Sequence, residues 1–212
     1  SMVILAALPC VLAGVYFFGL RVLLMIMVSY AAGGLVEVIF AVLRKEEINE
    51  GFLVTGLLFP LILPPALPLW LVGIGSAFGV FVGKELFGGT GRNLFNPALV
   101  GRCFLALSYP AAFAGTWVKP GTGLWGRLFT YVGPSTADAL TTATPLVLAK
   151  NGVISPLADL YIGRVAGCVG ETSVVAILLG GLFLIAVGVA NWRTVIAALG
   201  SFGILAAVLG ML

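Results

Sequence analysis

The run D-A-L-T-T-A-T-P-L, from Asp138 to Leu146, places one carboxylate and three hydroxyls between strongly apolar segments. Thr141, Thr142 and Thr144 follow Asp138, and Thr136 lies just upstream. A threonine hydroxyl donates one hydrogen bond and accepts two, so this run must be satisfied by protein, water or a polar ligand rather than by lipid. A purely local reading also exists. Thr144-Pro145 has the form of a helix N-cap followed by proline at the first helical position.

A second polar constellation lies upstream. The loop F-G-G-T-G-R-N-L-F-N-P (Phe87 to Pro97) supplies the amides Asn93 and Asn96, each able to donate and to accept. Pro97 then opens an apolar helix that carries Arg102 and reaches about Ala114. Asn96-Pro97 is equally a helix-start signal. The pair Gly33-Gly34 and the acid Glu37 sit inside another apolar run. Carboxylates at that depth are costly and usually functional, whereas paired glycines more often let helices approach closely.

Composition places these residues in a bilayer. Charged residues make up 9% and apolar residues 61% of the 212, and mean hydropathy is +1.18. A soluble domain carries about a quarter charged residues. There is no histidine, which removes the commonest metal ligand and neutral-pH proton shuttle. A scattered net charge of +3 gives no nucleic-acid footprint. Cys10, Cys103 and Cys168 lack cluster or disulfide spacing and read as packing residues.

The spans follow from hydrophobic length. Val3 to Leu20 and Val22 to Leu43 come first, the second reaching about 33 Å at 1.5 Å per residue. Arg44-Lys45 then marks a cytoplasmic loop. Phe52 to Leu63 is too short to cross, contains Pro60 and is ended by Pro64, Pro65 and Pro68, so it reads as a broken or re-entrant helix. Leu69 to Val82, Pro97 to Ala114, a short helix at Pro145 to Lys150, Val174 to Ala190 and Thr194 to Leu212 follow. Asn191-Trp192-Arg193 is expected to cap the Val174 span, and Glu171 to be a first-turn acid of that helix. The expected fold is an all-α, polytopic membrane helix bundle of about six spans plus broken half-helices.

Several ordered motifs carry a family resemblance. F-G-G-T-G-R-N-L-F-N-P-A-L-V-G-R (Phe87 to Arg102) with Tyr109-Pro110, E-G-F-L-V-T (Glu50 to Thr55), G-C-V-G-E-T-S (Gly167 to Ser173) and N-W-R (Asn191 to Arg193) resemble the B-type subunit of the sodium-pumping NADH:quinone oxidoreductases. The related D-type subunit of Rnf ferredoxin:NAD oxidoreductases shares the fold. The resemblance runs from about Gly33 to the end of the chain, and implies a single transmembrane domain over 1–212 that is a fragment of a longer family domain.

That resemblance assigns roles. Thr144 matches the threonine esterified by the phosphate of FMN, with Asp138, Thr141, Thr142 and Ala143 as the signal read by a flavin transferase. Thr142 departs from the glycine common at its position. Asn93 and Asn96 fall where a second flavin, riboflavin, is held, and Arg102 would hold flavin phosphate or pair with an acid. Gly33 and Gly34 match a glycine pair near the quinone head group, and Glu37 is the candidate for coupling to Na+ or H+, unless it pairs with an arginine on a neighbouring helix. The resemblance further implies a bacterial inner membrane, Thr144 on the periplasmic side, and other oxidoreductase subunits as partners. An Rnf-type subunit, or a transporter or channel with no redox centre, remains the alternative at this level.

Overall fold

The computed structural model describes residues 2–46, 50–114, 116–118, 120, 144–150 and 155–209. Among them the chain forms α1 (Met2–Phe18), α2 (Arg21–Arg44), α3 (Gly51–Leu61), α4 (Leu69–Gly83), a 3-10 turn (Glu85–Phe87), α5 (Pro97–Ser108), α6 (Pro110–Ala114), α7 (Pro145–Lys150), α8 (Leu157–Ile162), α9 (Val174–Ala186) and α10 (Trp192–Val208). The all-α membrane bundle expected from the sequence is the observed architecture. Asp138, Thr141, Thr142 and Ala143 lie outside the described residues.

The helices turn back on one another at glycine and proline. Gly19, at φ 79°, makes the left-handed turn between α1 and α2, a conformation that glycine adopts without steric cost. The helix α3 runs back from the Arg44 end but stops at Leu61, because Pro60, Pro64 and Pro65 cannot continue a hydrogen-bonded ladder. Its break is buried in protein: Leu63, Ala66 and Leu67 are at most 1% exposed. The carbonyls freed there are taken up individually. Gly170 N–H donates to Leu61 O at 2.7 Å and Val169 N–H to Leu63 O at 3.1 Å. Arg21, 2% exposed at the start of α2, donates from Nε to Pro65 O at 2.9 Å and from NH2 to Ala66 O and Leu67 O at 3.3 and 2.7 Å. Of the broken and re-entrant readings of Phe52 to Leu63 the broken one fits, since α3 starts by the Arg44 end and its break lies beside Arg21 at the other. The freed carbonyls are met by one arginine and the turn around Val169 and Gly170.

Beyond the break, α4 returns parallel to α2, since Arg21 meets residues 65–67 at one end and Arg44 meets Glu85 at the other. Small residues let the helices approach. Gly75, Gly79 and Gly83 line the face of α4 that meets α5. A Cβ at Gly79 would strike the Pro97 carbonyl, and one at Gly83 would lie 2.9 Å from Pro97 Cα. Phe78 and Phe104 stack across the same seam with centroids 4.0 Å apart. Toward α2, Ser76 Oγ donates to Ser29 O at 2.9 Å beside Gly33. The helix α9 runs antiparallel to α1, with Gly180 against the Ala6 carbonyl and Gly14 against Val169.

Three boundaries differ from the sequence reading. The Pro97 helix ends at Ser108, because Pro110 disfavours helical geometry at Tyr109, which sits at φ −131°, ψ 54°. The span beginning at Val174 ends at Ala186, short of Ala190, where Gly188 takes φ 78°. Asn191 caps the following helix instead, its Oδ1 accepting from Arg193 N–H at 3.0 Å. Among the described residues only α2 and the Leu69–Phe87 stretch reach the length of a full apolar span. The other five apolar helices, α1, α3, α5, α9 and α10, run 11–17 residues. None of the residues of α10 is buried, so its leucines and phenylalanine form an unpartnered apolar surface.

Arg21→Met is expected to destabilise the fold by about 3 kcal/mol, because it strips charge-assisted donors from three buried carbonyls. The check is the thermal-unfolding midpoint of the detergent-solubilised protein. Arg21→Lys should recover part of the loss.

Candidate functional site

The polar residues of the bundle gather where α2 meets the end of α4. Glu37 and Arg44 are seven residues apart on α2 and so share a face. At Lys84 the chain leaves helical geometry (φ −130°, ψ −59°) and enters the 3-10 turn, which lets adjacent side chains reach different groups on that face. Lys84 Nζ donates to Glu37 Oε1 at 2.6 Å, with side-chain exposures of only 3% and 7%. Glu85 Oε2 meets Arg44 NH1 at 2.8 Å, and Arg44 NH2 also donates to the Glu85 carbonyl. Two cations and two carboxylates thus form a compact, neutral group. Glu37 has a basic partner, as the pairing alternative required, but it is Lys84 rather than an arginine.

The glycine loop is fastened to this group. Gly88 N–H donates to Glu85 O at 3.1 Å and Gly89 N–H to Lys84 O at 3.2 Å. Gly88, Gly89 and Gly91 all have positive φ, and a Cβ at Gly89 would lie 3.4 Å from Arg44 NH1. Backbone geometry therefore favours glycine at position 89, where a Cβ would come into ordinary contact with the Arg44 guanidinium. The loop then exposes Asn93 to Asn96. Asn93 Nδ2 donates to Phe95 O at 2.9 Å, and Asn96 Oδ1 caps α5 by accepting from Ala98 N–H at 3.0 Å. Among the described residues this leaves Asn93 Oδ1 as an acceptor and Asn96 Nδ2 as a donor. Phe87 and Phe95 stand beside them, edge to face at 6.0 Å. An exposed acceptor, donor and aromatic faces on a fixed loop fit the edge and plane of a flat heteroaromatic ring.

The remaining candidates lie elsewhere. Gly33 faces α4: a Cβ there would meet Ser76 Oγ at 2.7 Å and Val80 Cγ2 at 3.2 Å. Gly34 is half-buried and looser, since a Cβ on it would find the Phe52 ring no nearer than 3.7 Å. Arg102 pairs with Glu171 at 3.2 Å, both partly exposed, and its guanidinium lies 6.0 Å from the centre of the Phe113 ring. Glu171 is thus not a first-turn acid. It precedes Ser173, which caps α9 by accepting from Ala176 N–H. Burial, the largest cause, and the neighbouring Glu171 carboxylate push the Cys168 thiol far above its ordinary range, so it stays neutral and unreactive. Thr144 is half-buried and occupies the cap position of α7, its carbonyl accepting from Leu148 N–H at 3.0 Å.

Sequence reasoning does not single out Arg21, Arg44, Lys84 or Glu85 as partners of functional groups. Their signal is present as charge within or beside apolar runs, which in a bilayer demands a partner.

Comparison with known proteins supplies the lineage. The NQR2, RnfD, RnfE family matches residues 1–212. The chain is 46% identical over 175 residues to the B-type subunit of the Na(+)-translocating NADH-quinone reductase of Ectopseudomonas mendocina (strain ymp), covering 79% of this chain and 40% of that protein. It is 47% identical over 168 residues to the corresponding subunit of Azotobacter vinelandii, again 79% and 40%. With that of Pseudomonas paraeruginosa the identity is 41% over 193 residues, covering 88% and 43%. The chain spans about two-fifths of the length of these relatives. With its motifs in order and a helical membrane bundle to hold them, the chain belongs to the NQR2, RnfD, RnfE family.

Proposed function

We propose that this chain is the electron-carrying membrane subunit of an ion-translocating NADH:quinone oxidoreductase, bearing FMN esterified to Thr144 and relaying electrons toward quinone. The observation that carries this reading is the similarity, over 79% of the chain, to proteins named as the B-type subunit of Na(+)-translocating NADH-quinone reductases. The chain acts with the other subunits of such a complex and depends on a flavin transferase for its modification. It works in the bacterial inner membrane.

A bound flavin supplies acceptance of two electrons and their release one at a time. The chain's own residues do the positioning. Thr144 offers a hydroxyl at a half-buried helix start, close enough to the surface for an enzyme to reach. Asn93 and Asn96 offer an acceptor and a donor to the second flavin, riboflavin, with Phe87 and Phe95 as its apolar neighbours. Of the glycine pair, Gly34 has the looser surroundings and suits approach of a quinone ring, while Gly33 is the packing member. Glu37 couples electron transfer to movement of Na+ or H+ as the buried carboxylate of the charge group. Arg102 is engaged with Glu171, which favours a tether over a phosphate ligand.

The proposed orientation puts the adjacent cations Arg44 and Lys45, at the end of α2, on the cytoplasmic side. Arg44, Lys45, Arg92 and Arg193 fall at the end of the bundle where α2 and α4 finish and α10 begins. The chain emerges from α5 and α6 at the opposite end, where Val118 packs on Ala66. Thr144 belongs, on this reading, to the periplasmic side, where a flavin transferase working outside the cytoplasm would reach it.

Co-expressed with a flavin transferase, the wild-type chain should show a fluorescent band in gels and the intact mass of one esterified FMN. Thr144→Ala should lose both. An unmodified wild type beside a flavinylated control protein refutes the covalent flavin. Asn96→Asp keeps the helix-cap acceptor but removes the amide donor. It should weaken retention of extractable riboflavin about tenfold, the worth of one good hydrogen bond, with covalent FMN unchanged, as read by flavin extraction.

A further inference from the structure

Glu37 uses only half of its carboxylate. Oε1 accepts from Lys84 at 2.6 Å, whereas Oε2, buried in the same place, has no hydrogen-bond partner among the described residues. A buried carboxylate oxygen left without a donor is costly. Structural pairs of this kind normally satisfy both oxygens, so the second oxygen marks capacity for another cationic group. Lys84 is equally specific. Its backbone is pinned, its N–H donating to Val80 O and its carbonyl accepting from Gly89, but its ammonium rides on a four-carbon stem with several rotatable bonds. The glycine loop that follows opens onto the exposed residues 90–96.

The charge balance decides how a further cation can be held. Glu37, Lys84, Glu85 and Arg44 sum to zero. Adding a cation while Lys84 stays would leave a net positive charge in a low-dielectric site, which is strongly disfavoured. Withdrawing the ammonium as the cation arrives keeps the site neutral and frees both carboxylate oxygens.

We propose that Lys84 is a built-in competitor for the transported monovalent cation at Glu37, occupying the carboxylate when the cation is absent and swinging toward the glycine loop when it binds. This rests on the coupling role proposed above for Glu37. Arg44 and Glu85 hold the loop in place during the exchange, since the backbone of Glu85 anchors Gly88 and the Arg44 side chain abuts Gly89.

The test measures the Na+ concentration giving half-maximal NADH:quinone activity in the assembled complex containing this chain. Lys84→Gln withdraws the competing charge and should lower that concentration about tenfold, equivalent to about 1.4 kcal/mol. Lys84→Arg should raise it, because a guanidinium fork can engage both carboxylate oxygens. A purely structural pair would reduce assembly or maximal rate in both variants and leave the half-activating concentration unmoved, which would overturn the proposal. If Lys84→Gln does not assemble, Lys84→Arg decides alone. If neither does, the Na+-induced infrared difference spectrum of the unaltered complex decides, through a shift of a buried carboxylate band or its absence. An unaltered complex with no Na+ dependence would instead remove Na+ as the cation coupled at Glu37, and with it this proposal, while leaving coupling to H+ open to its own test.

Discussion

Where α3 breaks at Pro60 to Pro68, a stretch of backbone loses its own helical partners inside an apolar bundle, and no lipid can replace them. Each unmet carbonyl there would cost several kcal/mol. The chain answers with donors from two distant places: the Arg21 guanidinium, 44 to 46 residues away in sequence, and the amides of Val169 and Gly170. Both answers have structural consequences. Burying Arg21 fixes the junction of α1 and α2 against the start of α4. Drawing residues 168–170 against α3 sets where Ser173 can begin α9, and so where α9 lies along α1.

Once α4 is started at that depth, its length determines where Lys84 and Glu85 arrive. Fifteen helical residues from Leu69 carry the chain about 22 Å, bringing the tandem charges level with Glu37 and Arg44 on the parallel α2. The glycines on the α5 side of α4 keep the seam tight enough for Pro97 to start close beside Gly83. The short loop between must then turn sharply, which explains three positive-φ glycines within four residues. The exposed amides Asn93 and Asn96 are therefore held by the same backbone that holds the ion pairs.

Much of this is legible in the sequence because each feature has a local cause. Prolines at 60, 64, 65 and 68 announce the broken helix, and Asn96-Pro97 announces a start that the structure shows as a capped α5. The glycine spacing 75, 79, 83 is equally local, but it becomes a close-packing face only when the stretch is read by helical faces rather than as one uniformly apolar crossing. What the sequence withholds is pairing. Nothing local tells that Glu37 meets Lys84 rather than an arginine, or that Arg102 meets Glu171 across 69 residues, because such contacts depend on how α2, α4, α5 and the segment before α9 stack. Asn191 shows the same limit at short range. A cap between two apolar runs serves whichever helix starts in register with it, and that is α10.

The Arg102–Glu171 and Glu37–Lys84 pairs separate by environment rather than by chemistry. Arg102–Glu171 is partly exposed, with side-chain exposures of 30% and 51% and a separation of 3.2 Å, so it contributes at most about 1 kcal/mol and acts as a loose tether between α5 and the segment leading to α9. Glu37–Lys84 is shorter and almost completely enclosed. There desolvation opposes the Coulomb attraction, and removing either charge alone would cost about 3–5 kcal/mol. An apolar pair of similar volume would hold α2 to α4 at least as well, and Ser29 with Ser76 already joins these helices through a neutral hydrogen bond. Stability alone therefore gives no reason to place a lysine and a glutamate at this depth. A site that must exchange one positive charge for another does, because only an ionised carboxylate facing a movable cation can do so without changing its net charge.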